Sequence, residues 1–352
     1  MARSHCIAVC IAVTLLRVPS FGSAPEGAIR DLAFETSAFM LSSAYRDVAS
    51  LYLDSAPGGA YGPVNRAWDA THKGKWYIEE QRPGSDLISG GIATNNTEAI
   101  DRGLLVLNWG FAQQKPDGGF DCPDTFHSTS FFVEAVAHSL LMLQASEYSS
   151  RYSQAVADME PKLLSAARWM TIRRNETHGR KNNKPYTHRR YLVAAALGET
   201  GVLAGDTSLV ARSESYVREG IALQSAPGYN PELGSWDSSY HAKGLVFACR
   251  YYTIVASEEM KPILYEMLEK AAKWEASRVK DDGKINTEGN TRVGGKKTEK
   301  GRLGKGKTVE VRQVYRAFYY WSVISGDSSY EKLAEKVALR ADQDASTNYP
   351  IT

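Results

Sequence analysis

The chain has 352 residues and a net charge of only +2, so its overall field favours no particular partner, and nucleic acid is not an expected ligand. Its composition, 43% hydrophobic and 23% charged, excludes a disordered chain and is that of a globular protein with ample material for a core. We therefore expect one domain over residues 25–352, and a monomer.

The first predicted element is an export signal over residues 1–24. Arg3 and His5 precede an apolar run over residues 6–16, and Gly22-Ser23-Ala24 supplies small residues for cleavage. That run is too short to cross a bilayer, and no later stretch is long and apolar enough to do so. The sequence thus predicts a secreted or periplasmic protein without a membrane span, although a buried first helix remains an alternative.

Two kinds of helix alternate from about residue 130 onward. The first kind is apolar nearly all round, which is typical of buried helices, and comprises residues 131–143, 191–203, 244–255 and 314–324. The second kind is amphipathic, which is typical of helices that cover a core, and comprises residues 156–173, 209–223, 260–276 and 330–339. Residues 29–53 and 97–113 are also predicted to be helical, with a long loop between them. The alternation predicts an all-α fold, an (α/α) toroid or barrel of about five to seven helical hairpins.

The connections between these helices differ at the two ends of each hairpin. Turns from a buried to an amphipathic helix are tight and carry helix-capping residues, as in Gly205-Asp206 and Gly326-Asp327. The return connections are long and comprise residues 114–127, 174–188, 224–239 and 277–310. Long ordered loops usually carry function, so we expect these connections to enclose a cleft at one rim of the toroid.

Polar side chains stand where the long connections reach the buried helices. His127 ends the first connection, and His188 ends the second and is followed by Arg189. Tyr240 follows the third connection, and Arg312 lies shortly after the fourth. The other predicted substrate contacts are Asn95, Trp236, Asp237 and His241. Each residue also has a structural alternative, such as a helix cap for His127 and Asn95 or a core aromatic for Tyr240.

These residue types suit β-elimination on a uronic acid polymer. The reaction needs groups that neutralise the sugar carboxylate, a base for the C5 proton and an acid for the departing O4 oxygen. Arginine, asparagine or histidine can neutralise the carboxylate, histidine is a base near neutral pH, and tyrosine holds a proton to donate. No metal is required, and no cluster of residues has metal-ligand spacing, so we expect no cofactor.

Three segments resemble toroid polysaccharide lyases, in particular the alginate and glucuronan lyases of polysaccharide lyase family 38. They are FDCPDTFHSTSFF, NKPYTHRRYL and YNPELGSWDSSYHAKGL, and the resemblance covers about residues 90–325. It implies an enzyme that cleaves glucuronan or alginate, with His188 as the base and Tyr240 as the acid. It also implies that His127 and Arg189 contact the uronate. The chain lacks the Asn-Asn-His motif of some other alginate lyases, because no histidine adjoins Asn182-Asn183.

Two other functions remain open at this stage. A glycoside hydrolase on an α/α toroid needs a pair of carboxyl groups, and the long connections carry Asp117, Asp121, Asp124, Glu232 and Asp237. A toroid that binds glycans without cleaving them needs no acid or base. Cys122 and Cys249, the only cysteines beyond the predicted signal, are candidates for one disulfide.

Overall fold

The computed structural model describes residues 24–52, 77–291 and 309–348, and these residues form helices without a β-strand. The all-α prediction is therefore confirmed. None of the described helices has the length and apolar character needed to span a membrane. Residues 1–23, which carry almost all of the predicted export signal, lie outside the described residues. Cys122 and Cys249 are both buried and are not joined in a disulfide.

The described residues form thirteen α-helices and a short 3₁₀ helix, Ile78–Gln81. The α-helices are α1 Glu26–Glu35, α2 Ala38–Tyr52, α3 Pro83–Ala93, α4 Thr97–Ala112, α5 Thr125–Ala145, α6 Ser149–Thr171, α7 Arg173–Asn183, α8 His188–Ala204, α9 Thr207–Ala222, α10 Ser238–Ile254, α11 Met260–Ala276, α12 Val311–Ser325 and α13 Ser328–Asn348. Every helix expected from the sequence pattern is present, and the long stretch predicted over residues 29–53 is split into α1 and α2.

Two helices, α3 and α7, lie where the sequence pattern predicted only connections. Helix α3 was obscured by Pro83 and by glycines, but proline fits the first position of a helix. The glycines allow close packing, since a Cβ atom on Gly84 would lie 2.9 Å from the backbone oxygen of Gly103 in α4. Helix α7 is strongly polar and is held by the buried Glu176, which accepts hydrogen bonds from the Arg212 side chain and the Tyr216 hydroxyl.

The apolar helices pack side by side in chain order. Helix α3 contacts α5, α5 contacts α8, α8 contacts α10, and α10 contacts α12, while each also packs against the amphipathic helix that follows it. In α5 every residue from 128 to 143 is buried, whereas α6 buries only one face. Because a short turn makes the two helices of a hairpin antiparallel, α5, α8, α10 and α12 all begin on the same side of the molecule.

Helix α1 brings carboxylates into the interior, where it packs against both α5 and α10. Nε2 of His138 lies 3.4 Å from Asp31 and 3.6 Å from Glu35, and its Nδ1 lies 3.5 Å from Glu199. Arg250 binds both Glu35 and Glu134, and Arg316 binds Glu35. We call this buried group the ion cluster; it consists of Asp31, Glu35, Glu134, His138, Glu199, Arg250 and Arg316.

The ion cluster should make the fold sensitive to alkaline pH. Burial and Arg250 lower the pKa of His138, but Glu199, Glu35 and Asp31 outweigh them and raise it to about 9. An unfolded histidine titrates near pH 6.5, so the stabilisation from the charged ring is complete below about pH 6.5 and is lost as the pH rises through 9. We expect the free energy of unfolding, measured with urea, to fall between pH 7 and pH 10.

Two histidine variants separate this effect from general alkaline denaturation. His138→Gln should be less stable at pH 7 and should lose most of the alkaline decline. His241→Gln should keep the decline, because burial lowers the pKa of His241 to about 4 and leaves it neutral throughout this range. The same decline in both variants would contradict the role of His138.

Candidate functional site

Two of the predicted residues, His188 and Tyr240, lie side by side. His188 is the first residue of α8 and is buried, and Tyr240 lies in the first turn of α10 and is half-buried. Their ring centroids are 4.5 Å apart, with 32° between the ring planes. The structure thus brings together the two residues that the resemblance implied as base and acid, although they are 52 positions apart in the sequence.

Glu232 holds His188 in place. Its carboxylate accepts a hydrogen bond from the backbone N–H of His188 at 2.8 Å, and its other oxygen lies 2.8 Å from Nδ1 of the ring. Both side chains are buried. A carboxylate beside Nδ1 favours the tautomer with the hydrogen on that nitrogen, so the lone pair of neutral His188 lies on Nε2.

Backbone contacts between two of the long connections set this geometry. Thr187 donates its backbone N–H to the carbonyl of Pro231 at 3.2 Å, and Leu233 donates to the carbonyl of Pro185 at 2.8 Å. Leu233 has a φ of 61°, which is rare for a residue with a side chain and costs about 1–3 kcal/mol. The fold therefore maintains a strained backbone conformation in the turn that places Glu232 against His188.

His127 lies in a cationic environment at the start of α5. Its ring centroid is 4.8 Å from that of Phe131, and the guanidinium of Arg82 lies 4.2 Å from the centre of the same Phe131 ring. Burial, followed by the charges of Arg189, Arg82 and Lys243, holds the pKa of His127 well below its usual value. His127 is therefore neutral at pH 7, and its buried Nδ1 has no hydrogen-bond partner among the described residues.

Lys243 connects this group to Tyr240. Its ammonium lies 5.6 Å from the centre of the Phe131 ring, 6.0 Å from that of Tyr240, and 3.2 Å from the carboxylate of Glu310. Side chains from α5, α10 and the segment preceding α12 therefore meet on the side where these helices begin.

Arg189 lies beside His188 on α8 but is engaged with its own connection. It donates a hydrogen bond to the side-chain oxygen of Asn183 at 2.9 Å and lies 3.5 Å from the carboxylate of Asp124. Its guanidinium also lies over the ring of Tyr186, 4.1 Å from the centre. The charge of Arg189 is near enough to affect His127, so Arg189 belongs to the cationic surroundings of the site.

A cavity of about 300 Å³ opens beside Phe131 and Lys243. Its walls come from α3, α5, α10, α12 and the residues just before α3 and α12. Its size lies at the lower end of the range for ligand pockets, about 300–1,000 Å³. The charged residues that line it are Arg82, Asp86, Glu134, Lys243, Arg250, Glu310 and Arg316.

Asp237 and His241, both predicted substrate contacts, have structural roles in the described residues. Asp237 is buried and caps α10, where its carboxylate accepts the backbone N–H of Tyr240 at 2.9 Å. His241 is fully buried, and its Nδ1 accepts the backbone N–H of Asn230 at 3.0 Å. Its Nε2 lies 3.1 Å from the carbonyl oxygen of Ala271 in α11. Both ring nitrogens are thus satisfied, and the environment is that of a structural histidine.

Trp236 and Asn95, two further predicted contacts, are engaged with other residues. Trp236 packs against Trp274 of α11, with ring centroids 5.4 Å apart, and the guanidinium of Arg278 lies 4.5 Å from the centre of the Trp236 ring. Asn95 lies in the turn after α3 and accepts a hydrogen bond from the hydroxyl of Tyr148 at 3.3 Å. Tyr148 follows α5, a helix of 21 residues that spans about 30 Å, so Asn95 lies at the opposite end from His127.

Arg312, another predicted contact, joins α12 to α2 and α3. Its guanidinium binds the carboxylate of Asp47 at 2.9 and 2.5 Å and lies 3.5 Å from Asp86. Burial lowers the pKa of Arg312, but Asp86 and Asp47 raise it above its ordinary value. Because these two carboxylates neutralise its charge, Arg312 is a weaker receptor for a substrate anion than the sequence suggested.

One group among the described residues brings potential metal-ligand atoms close to one another. Ligand atoms of Asp31, Glu35 and His138 all lie within 4.8 Å of one another. The surrounding charges favour an imidazolium there instead, since carboxylates face both ring nitrogens of His138 and Glu35 already binds Arg250 and Arg316. The arrangement therefore fits an internal ion pair better than a metal centre.

Sequence reasoning missed the importance of Arg82, Phe131 and Lys243. Phe131 reads as one more core residue in an apolar helix, and Arg82 precedes a helix that the pattern did not predict. Lys243 carried a usable signal, because it immediately precedes an apolar stretch, and a charged residue buried there is costly unless its charge faces a partner or a cavity.

Comparisons of the chain with protein-family models, with curated proteins and with solved structures find no match. The chemistry of this site is therefore inferred from its own residues and their geometry.

Proposed function

We propose that this protein is a secreted polysaccharide lyase that cleaves a uronic-acid-containing polysaccharide, glucuronan or alginate, by β-elimination. The observation that carries the proposal is the contact between His188 and Tyr240, whose ring centroids are 4.5 Å apart. Glu232 orients His188, and Lys243 lies between Tyr240 and a nearby cavity that is lined by four cationic and three acidic side chains. A base, an acid and receptors for an anion are the three requirements of this reaction.

The proposal includes an (α/α) toroid as the architecture. It is supported by the chain-order packing of α2, α3, α5, α8, α10 and α12. Contacts from α12 back to α2 also support it, because Arg312 binds Asp47 and the Tyr315 hydroxyl lies 3.5 Å from that of Ser43. A closed ring would place the starts of the buried helices around one cleft.

In the proposed reaction Nε2 of neutral His188 takes the proton from C5 of the uronate. Tyr240 donates its hydroxyl proton to O4 as the C4–O4 bond breaks, and the electron pair of the C5–H bond forms a double bond between C4 and C5. Glu232 keeps the imidazole in the required tautomer and stabilises the imidazolium. The cationic groups around His127 favour the negative charge that develops on the sugar carboxylate.

A glycoside hydrolase is less well supported by the same site. It would need one carboxylate and one protonated carboxyl group across the bond that is cleaved. In the cavity Glu134 binds Arg250, Glu310 lies 3.2 Å from Lys243, and Asp86 lies 3.5 Å from Arg312. Each of these carboxylates is thus engaged by a cation of the protein, which differs from the two opposed catalytic carboxyl groups that such a hydrolase uses.

An absorbance screen tests the proposal. The purified protein is incubated with glucuronan, polymannuronate, polyguluronate and a neutral glucan, and we expect the ultraviolet absorbance of an unsaturated product with a polyuronate alone. KM should rise with salt, because ions screen a cationic cleft from an anionic polymer. New reducing ends without absorbance would identify a hydrolase, and binding without either product would identify a glycan-binding protein. A salt-independent KM would argue against an anionic substrate.

A further inference from the structure

We infer that Lys243 is the receptor for the carboxylate of the uronate that reacts, and that the carboxylate of Glu310 occupies this receptor until substrate displaces it. The inference rests on the proposed function and names the residue that lets the site select a uronate over a neutral sugar.

The reaction restricts where such a receptor can lie. The carboxyl carbon of a uronate is bonded to C5, which loses its proton to His188, and C5 is bonded to C4, from which O4 departs towards Tyr240. A receptor for the carboxylate therefore has to lie beside both side chains. A cation in that position stabilises the charge that develops as the C5 proton leaves.

Helix α10 provides Lys243 in this position. Lys243 follows Tyr240 by three positions, so the two residues are neighbours on the surface of the helix. The ammonium of Lys243 lies 6.0 Å from the centre of the Tyr240 ring. The next residue, Gly244, packs on His188, since a Cβ atom on Gly244 would lie 3.2 Å from both Cα and Cβ of His188. Lys243 thus extends from the same turn of α10 that packs against His188.

The ammonium of Lys243 is suited to exchange one carboxylate for another. It has three N–H donors on a flexible stem, whereas Arg189, next to His188 in the chain, is held by Asn183 and Asp124. The Lys243 side chain lines the cavity of about 300 Å³ and is 13% exposed. A cation that is partly removed from water attracts a carboxylate more strongly than one in open solvent.

Glu310 holds a carboxylate where the substrate would place its own. That carboxylate lies 3.2 Å from the ammonium of Lys243, and half of the Glu310 side chain is exposed. The backbone N–H of Glu310 donates to Oγ of Ser239 at 2.9 Å, which fixes the backbone of Glu310 to the first turn of α10. Exposed ion pairs are weak, because water solvates the separated charges, so the side chain of Glu310 can turn into solvent when an anionic substrate arrives. Glu310 therefore competes with the substrate for Lys243.

Two variants with opposite expected effects test this pair on the polyuronate that gives the strongest absorbance. Lys243→Met keeps the apolar stem without the charge and should lower kcat/KM by about 10- to 100-fold, the loss expected for a hydrogen bond to a charged group. Lys243→Arg should recover part of it. Glu310→Gln removes the competing carboxylate and should raise kcat/KM by about two- to fivefold through a lower KM. In the Lys243→Met background, Glu310→Gln should lose most of that gain.

An exposed pair on α11 supplies the matched controls. Lys270 lies 2.7 Å from Glu266, and we expect Lys270→Met and Glu266→Gln to change kcat/KM little. Equal kcat/KM values for Lys243→Met and Lys270→Met, with unchanged circular dichroism, would overturn the receptor. A lower kcat/KM in Glu310→Gln would overturn the competition, because it would show that the intact ion pair supports the site. Glu310→Gln decides this point even where Lys243→Met fails to fold, since its side chain is half-exposed.

A binding measurement separates recognition of the carboxylate from turnover. The Tyr240→Phe variant is titrated by calorimetry with the same polyuronate and with that polymer after reduction of its carboxylates to alcohols. Adding Lys243→Met should weaken binding of the polyuronate by about 10-fold or more and leave binding of the reduced polymer unchanged. Equal weakening for both polymers would overturn the receptor. Absence of absorbance with every polyuronate would overturn the lyase proposal and this inference with it, whereas the kinetic outcomes above would reject the roles of Lys243 and Glu310 alone.

Discussion

Replacing Tyr240 with phenylalanine should abolish lyase turnover while the helical circular dichroism spectrum stays unchanged. The substitution removes only the hydroxyl group and keeps the ring that packs 4.5 Å from His188. Without the hydroxyl, the departing O4 oxygen has to leave as an alkoxide or take a proton from water. General acid catalysis typically contributes about 10²–10⁴-fold to a rate, and we expect a loss of this size in kcat measured by ultraviolet absorbance.

His188→Ala should cause a comparable loss, because it removes the base that takes the C5 proton. The double variant should be little worse than either single one, since residues that act as a unit give losses that do not add. His241→Gln is the matched control, being a neighbour of Tyr240 that is fully buried against α11. Normal turnover in Tyr240→Phe would reject the acid assignment, and loss of its helical spectrum would show that Tyr240 serves the fold.

The site shows what sequence patterns can and cannot predict about side-chain direction. The alternation of helices and the unequal connections predicted that His188 and Tyr240 would come from neighbouring buried helices. The sequence predicted Tyr240 as the acid and His241 as a further substrate contact, but consecutive helical residues differ by about 100° in direction, so both cannot face the same partner. Tyr240 packs against His188, whereas His241 reaches the backbone of Ala271 in α11. The packing of α10 between α8 and α11 determines which of these two side chains faces His188.

Helix α3 shows a second limit of such patterns. Its glycines are unfavourable for a helix in isolation, so the local sequence predicts a loop. These glycines allow α3 to pack closely against helices that are distant in the sequence. Gly84 packs against the backbone of Gly103, and Gly90 packs against the backbone of Ala44. Because α3 was not predicted, Arg82 immediately before it and the cavity wall that it forms were not predicted either.

The ion cluster was beyond sequence reasoning for a related reason. Glu134, His138, Glu199 and Arg250 are isolated polar residues in otherwise apolar helices. His138 and Arg250 contact the carboxylates of α1, while Glu199 pairs with His138 and Glu134 pairs with Arg250. The hydrogen bond from Arg250 to Glu35 joins residues 215 positions apart. No local periodicity indicates that these groups face one another, so the charges can be paired only once the helices are placed.

Arg250→Met should destabilise the fold more than any exposed charge substitution. Arg250 is 8% exposed and binds Glu134 of α5 and Glu35 of α1, the latter at 3.1 Å. Methionine retains an apolar stem of similar shape but leaves Glu134 buried without this cation. Breaking a buried ion pair in this way typically costs about 3–5 kcal/mol, and we expect a loss of that size in the free energy of unfolding from urea titrations at pH 7.

Two further variants show whether the loss comes from the unpaired charge. Adding Glu134→Gln to Arg250→Met should restore part of the stability, because the carboxylate left without its partner is then neutral. Arg218→Met breaks the exposed pair with Glu214 and should cost no more than about 1 kcal/mol. If Arg250→Met and Arg218→Met cost the same, the ion cluster does not hold α1 in place. Arg250 is the residue that would hold it, since its hydrogen bonds join α10 to Glu134 of α5 and to Glu35 of α1.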